Sequence, residues 1–240
     1  MDLTCDERST DSPFVERIWR NQSEEADPFI SMADAHFSVV VTRYRDKTTL
    51  TVRGPETRAT PATIFADAEF FGIQFKVGAF MPNLPPKLVM DRQDLSLPEA
   101  TGKSFWLNGS VWPFPTFENA DTFVNRLARE GLLVYDPIVK SMLHGQPLDT
   151  SIRTVQRRFL QATGLTYAAM YQIERARYAT TRLKQGVPIL DVVHEAGYYD
   201  QPHLTRSLKS LIGLTPAQIV DQNRTEKLSF LYKTMSLEKI

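Results

Sequence analysis

The spacing of hydrophobic positions changes character about halfway along the chain. In the first half, SVVVTRY (residues 38–44), TLTVRG (49–54) and FFGIQFKVGAF (70–80) are β-branched or aromatic runs with strand-like alternation. Clusters of Pro, Gly and Asp, such as RGPETRATPAT and MPNLPPK, punctuate them. Short strands with such turns predict a β-sandwich or small barrel over residues 13–116. Past that point the period lengthens. ENADTFVNRLAREGLL sets Ala120, Phe123, Val124 and Leu127 on one face of a helix. That helix, within residues 117–136, would bridge the halves or pair with its twin in a dimer. Residues 1–12, acidic and polar, predict a dangling tail, and 223–240 a second tail at the carboxyl end.

Helical signals dominate residues 137–222. In SIRTVQRRFLQATGLT (151–166), Ser151 can cap, Val155, Phe159 and Ala162 form an apolar stripe, and Gly164 stops the helix. TYAAMYQIERARYATTRLKQG then carries Ile173, Ala176, Ala179 and Leu183 at helical spacing, with Gly186 as the stop. That predicts a helix of about 20 residues, ~30 Å long. ILDVVHEA places Ile189, Val192, Val193 and Ala196 on one face, and Gly197 ends it. Asp200 is a good N-cap for a further helix that Gln201 and Pro202 open, with Leu204, Leu208 and Leu211 facing inward.

Two of these helices carry a second, polar stripe. Arg153, Gln156 and Arg157 stand at i, i+3, i+4; Gln201, Pro202, Thr205 and Arg206 form the other array. Arginine matches guanine and glutamine matches adenine by paired hydrogen bonds in the major groove. A rod of ~30 Å nearly spans the ~34 Å of one B-DNA turn, so it would hold two such helices in consecutive grooves. An ordinary pair of helical hairpins with solvated faces is the plainer alternative.

On these motifs residues 137–222 resemble the bipartite helix-turn-helix domain of the AraC/XylS family of bacterial transcription regulators. The resemblance runs through SIRTVQRRFLQATGLT, RARYATTRLKQG and AGYYDQPHLTRSLKSLIGLTP. It implies sequence-specific binding of double-stranded promoter or operator DNA. Contacts would come from Arg153, Gln156 and Arg157 in the first unit and from Gln201, Pro202, Thr205 and Arg206 in the second, with His203 beside them. It further implies a cupin-like effector or dimerisation domain in the amino-terminal half. The expected partners are thus DNA, a small-molecule effector, a second copy of the chain through that half, and RNA polymerase if the protein is an activator. Three departures stand out. Gly145 lies six residues before Ser151, where the family usually has two, so the first turn is longer or built differently. Val193 stands where the family prefers a small alanine, and Pro202 offers no side-chain amide.

Charge sharpens the division. The formal net charge of the whole chain is zero, yet residues 1–136 hold 14 Lys/Arg against 20 Asp/Glu while 137–224 hold 11 against 6. A basic helical part joined to an acidic partner suits a nucleic-acid ligand. The 42% hydrophobic and 23% charged composition is that of a globular protein with room for two cores. One cysteine, Cys5, excludes an intrachain disulfide and a methyl-accepting cysteine cluster. No segment approaches the ~18 apolar residues of a membrane span, and the start lacks the basic and apolar regions of a secretory signal. A cytoplasmic setting without a membrane partner is expected.

Catalysis finds little support. A metal-dependent barrel needs several histidines with a carboxylate, and of His36, His144, His194 and His203 only His36 lies in the β-rich half. Ser110 lacks the strand–elbow–helix frame of a hydrolase nucleophile. No enzyme activity, cofactor or metal is expected. The aromatic residues Phe105, Trp106, Trp112, Phe114 and Phe117 would either wall a ligand pocket or seal the β domain against the following helix. The competing function is a small-molecule-binding β-domain protein whose helical half is structural and binds no specific operator.

Overall fold

In the computed structural model the described residues are 6–92, 95–221 and the short strand 227–228. Cys5, with the rest of residues 1–5, and most of the carboxyl-terminal tail lie outside them. Elements are numbered in chain order. A six-stranded antiparallel sheet forms the centre of the first half, in the order β1 (Asp6–Arg8), β2 (Val15–Ser23), β7 (Ala68–Phe75), β4 (Ser38–Tyr44), β5 (Lys47–Arg53) and β9 (Leu95–Ser96). A second sheet holds β3 (Asp27–Ser31) between β6 (Thr60–Ile64) and β14 (Lys227–Leu228). The hairpins β10 (Glu99–Thr101), β11 (Ser104–Leu107) and β12 (Ser110–Pro113) form a third, and β8 (Ala79–Phe80) pairs with β13 (Val134–Tyr135).

Period-2 alternation divides the large sheet into two buried faces. Val39, Val41, Leu50, Val52, Phe71 and Ile73 pack with Phe105, Trp112 and the apolar face of α2 (Ala120–Arg129). Val40, Thr51, Phe70 and Gln74, one residue out of phase, line a cavity of about 190 Å³ with Phe29 and Ile64 from the second sheet. Burial on both faces explains why SVVVTRY reads as a continuous apolar run rather than a clean alternation. Gly72 sits under Trp19, whose indole a Cβ at that position would overlap. Only glycine lets the indole cross the sheet there and wall the cavity.

Two expectations are corrected, and a third question, left open between two readings, is decided. Residues 6–12 do not dangle: Asp6–Arg8 pairs with β2, and Arg8 donates from Nη1 to Asp121 (2.6 Å), so charge pairing and an open sheet edge recruit the segment. α2 neither bridges the halves nor offers its apolar face to a twin, because Phe123, Val124 and Leu127 are spent on the β domain's own core. Phe105 and Trp112 are sealed in that same core, edge-on to Phe123, and do not wall the cavity.

Residues 137–220 carry only helices: α3 (Pro137–Leu143), α4 (Ile152–Thr163), α5 (Tyr167–Lys184), α6 (Ile189–Glu195), α7 (Gln201–Leu211) and α8 (Pro216–Val220), after a short α1 (Pro86–Val89) in the first half. One core gathers Phe159, Ala162, Met170 and Ile173 with Val139. Another gathers Ala176, Ala179, Leu183, Val192, Val193, Leu204 and Leu208. The segment after β3 threads between them. Met32 enters the second core and Ala33 and Ala35 the first, so the halves share apolar surface. Among the described residues no helix is long and apolar enough to cross a membrane.

Candidate nucleic-acid interface

Local sequence builds both reading helices. Ser151 Oγ accepts from Thr154 N–H (3.3 Å) to start α4, and Asp200 Oδ1 accepts from His203 N–H (2.7 Å) to start α7. Each bond satisfies an amide with no partner within the helix. Thr166 caps α5 in the same way. Its 18 residues make a rod of ~27 Å. α4 packs at the amino-terminal end of that rod through Met170 and Ile173, α6 and α7 farther along through Ala176, Ala179 and Leu183.

The two units close differently. In the second, Gly197 (φ 66°) makes a short left-handed turn between α6 and α7. Arg175 of α5 braces that turn, its guanidinium 4.1 Å from the centre of the Tyr198 ring and donating to Gly197 O (3.2 Å). In the first unit a longer connection separates α3 from α4, and an ion pair does the bracing. Arg158 of α4 grips Asp136 with both arms, Nε to Oδ2 at 2.9 Å and Nη2 to Oδ1 at 2.8 Å. Asp136 also caps α3 by accepting from Ile138 N–H. One carboxylate thus fixes both helices, which compensates for the missing tight turn.

The polar stripes lie on the outer surface. Arg153, Gln156 and Arg157 are exposed on α4; Gln201, Pro202 and Arg206 are exposed on α7. Thr205 is half-buried. His203 is turned inward, its ring edge-on to Tyr198 at 5.2 Å. The β domain meets the opposite end of α7, where Ala33 N–H donates to Leu211 O (2.8 Å) and Ala59 N–H to Ser210 O (3.0 Å). The amino-terminal end of α7 therefore stays open, and Ser151, Ile152 and Arg153 at the amino-terminal end of α4 are exposed as well.

A buried polar cluster at that junction escaped the sequence. Arg177 of α5 donates to Ala33 O (3.1 Å) and stands 3.7 Å from Asp34 Oδ2. Asp34 also accepts from Gln74 Nε2 (3.0 Å) and contacts His36 Nδ1 at 2.6 Å. Asp34, His36, Gln74 and Arg177 all line the cavity. Burial by itself raises the Asp34 carboxyl, but Arg177 and His36 outweigh it and hold it well below the usual range. Burial lowers the His36 imidazole, yet the Asp34 carboxylate reverses this and raises it. Burial pushes Glu174, which faces His36 from α5, upward.

The signs set a pH window. The depressed Asp34 contributes stability that is present above its unfolded value near 3.9 and is lost on acidification. The raised His36 contributes stability that is present below about 6.5 and lost as pH climbs through its folded value. Glu174, raised as well, contributes a loss that begins as pH climbs past its unfolded value near 4.3. Unfolding temperature should therefore peak near pH 4 and decline above it, more steeply once His36 adds its loss above about 6.5. Asp34→Asn should flatten the acid limb and His36→Gln reduce the alkaline one; an unchanged profile in both would refute the assignment.

A family model described as a helix-turn-helix domain, of the AraC type, matches residues 146–222. No curated protein matches the sequence. The solved structure of ToxT from Vibrio cholerae aligns over 90% of this chain and 97% of its own, with 8% sequence identity and a TM-score of 0.38. Residues 146–222 of this chain form a helix-turn-helix domain of the AraC type, which supports a DNA-binding transcription regulator.

Proposed function

We propose that the protein reads specific DNA through both helix-turn-helix units and that a small molecule in the β-domain cavity adjusts this binding. Arg153, Gln156 and Arg157 of α4 and Gln201, Pro202, Thr205 and Arg206 of α7 are the proposed contacts, with His203 seating the turn beside them. The observation that carries the reading is the pair of exposed arginine-bearing faces on one stiff spacer. Effector response is supported by the composition of the cavity wall. Most of the lining comes from the β domain, but Arg177 comes from the spacer helix itself. A ligand that draws on Arg177 or Asp34 changes the contacts holding α5 to the β domain, and so favours one arrangement of the halves over another.

Binding to operator DNA selected by the protein from a random duplex pool tests the first part. Affinity should fall by about a thousandfold between 50 and 200 mM salt if roughly six phosphates are engaged, because each contact releases condensed counterions. A flat salt response would leave the helical half a structural appendage. A thermal-shift screen of small metabolites tests the second part, with hits expected to change operator affinity as well as melting.

A further inference from the structure

The most exposed large hydrophobic side chains among the described residues are Tyr199 (91%), Ile152 (76%) and Leu190 (62%), all in the helix-turn-helix domain. Tyr199 immediately precedes Asp200, the N-cap of α7, and Ile152 immediately follows Ser151, the N-cap of α4. The amino-terminal end of each arginine-bearing reading helix thus presents a bare apolar group. Scattered single hydrophobics on a surface are ordinary, but these two flank the N-caps of the two reading helices, one just before its cap and one just after. The amino-terminal residues of such a helix are the ones that meet base edges. The apolar feature available in the major groove is the C5-methyl group of thymine.

We propose that Tyr199 and Ile152 read thymine methyl groups, one in each half of the operator, next to the bases contacted by Arg206 and Arg157. Polar side chains at these places would contact phosphate or water and leave thymine indistinguishable from a non-methylated pyrimidine there. Pro202, exposed in the first turn just past Asp200, widens the apolar surface in the second unit and has no side-chain donor to compete for the base. Tyr199 keeps its backbone amide 3.5 Å from His203 Nδ1, which holds the aromatic residue at the head of the helix. The inference rests on α4 and α7 facing the major groove, as proposed above.

The test uses the full chain and duplexes selected by it from a random pool. Each thymine in the consensus is replaced in turn by deoxyuridine, which removes the methyl and keeps the pairing. In the wild-type protein one position in each half-site should lose roughly three- to fivefold in affinity, the worth of one buried methyl. Tyr199→Ala should abolish that sensitivity in one half-site and Ile152→Ala in the other, while Tyr199→Phe retains it because the ring and not the hydroxyl makes the contact. A consensus whose deoxyuridine profile is flat, or is the same in both alanine variants as in wild type, overturns this inference and leaves base reading by the arginines intact. Failure to select any consensus takes both down.

Discussion

Arg177→Met should uncouple the two halves. The substitution removes the donor to Ala33 O and the cation near Asp34, and leaves a methylene stem of similar length. Breaking one side of a buried ion pair strands the other, at a typical 3–5 kcal/mol. Asp34 keeps His36 and Gln74 as partners and its side chain is about a fifth exposed, so the lower end, about 3 kcal/mol, is expected. In calorimetry a single wild-type transition should split into two as the domains cease to melt together. Selected operator DNA should still be bound, because Arg177 lies in the junction and not on the reading faces. Any small molecule that shifts wild-type DNA affinity should lose that effect. A variant that melts as one unit at the wild-type temperature would show that the shared apolar surface around Met32 and Ala33 alone joins the halves.

Arg206→Ala and Arg157→Ala should each weaken operator binding by about 1–3 kcal/mol, roughly five- to 150-fold, if each arginine makes a bidentate base contact. Titration against random DNA separates two roles. A penalty on operator that random sequence does not share identifies a reader of bases. Equal weakening on both identifies a phosphate clamp, with a salt slope reduced by about one. The comparison between the two variants addresses the unusual first unit. With Asp136 and Arg158 bracing α3 against α4, the lengthened connection leaves α4 firmly placed, so Arg157→Ala is expected to cost about as much as Arg206→Ala. A silent Arg157→Ala beside a costly Arg206→Ala would mean that the first unit does not read bases.

The helical half was legible because its determinants are local. Ser151, Thr166 and Asp200 each satisfy an amide three residues away, and the stripes Val155–Phe159–Ala162 and Leu204–Leu208 are set by the 3.6-residue period alone. Exposure of Arg153, Gln156, Arg157, Gln201 and Arg206 follows once the opposite face is buried. His203 shows the limit of such reasoning: a position on the helix wheel cannot tell an open side chain from one drawn onto Tyr198. The β domain was harder. Its strands were recognisable from β-branched runs, but their order was not, and neither was the division into a packed face and a cavity face. The aromatic residues that wall the cavity, Trp19, Phe29 and Phe70, are far apart in sequence, while the adjacent cluster at Phe105 and Trp112 proved to be core.

What the amino-acid order determined by itself is therefore the pair of capped, amphipathic reading helices and the stiff helix between them, since hydrogen bonds and periodicity within a few residues suffice to specify each. What only the tertiary structure decided is how the halves meet. Arg177 reaches a carbonyl 144 residues away and Arg8 a carboxylate 113 residues away. His36, with Asp34 two residues before it, becomes part of a larger charged cluster only when the fold delivers Arg177 and Glu174 to the pair. Pairing across such distances is set by chain topology and burial, which cost ordering entropy before any contact rewards them, and no short-range pattern of residues encodes it.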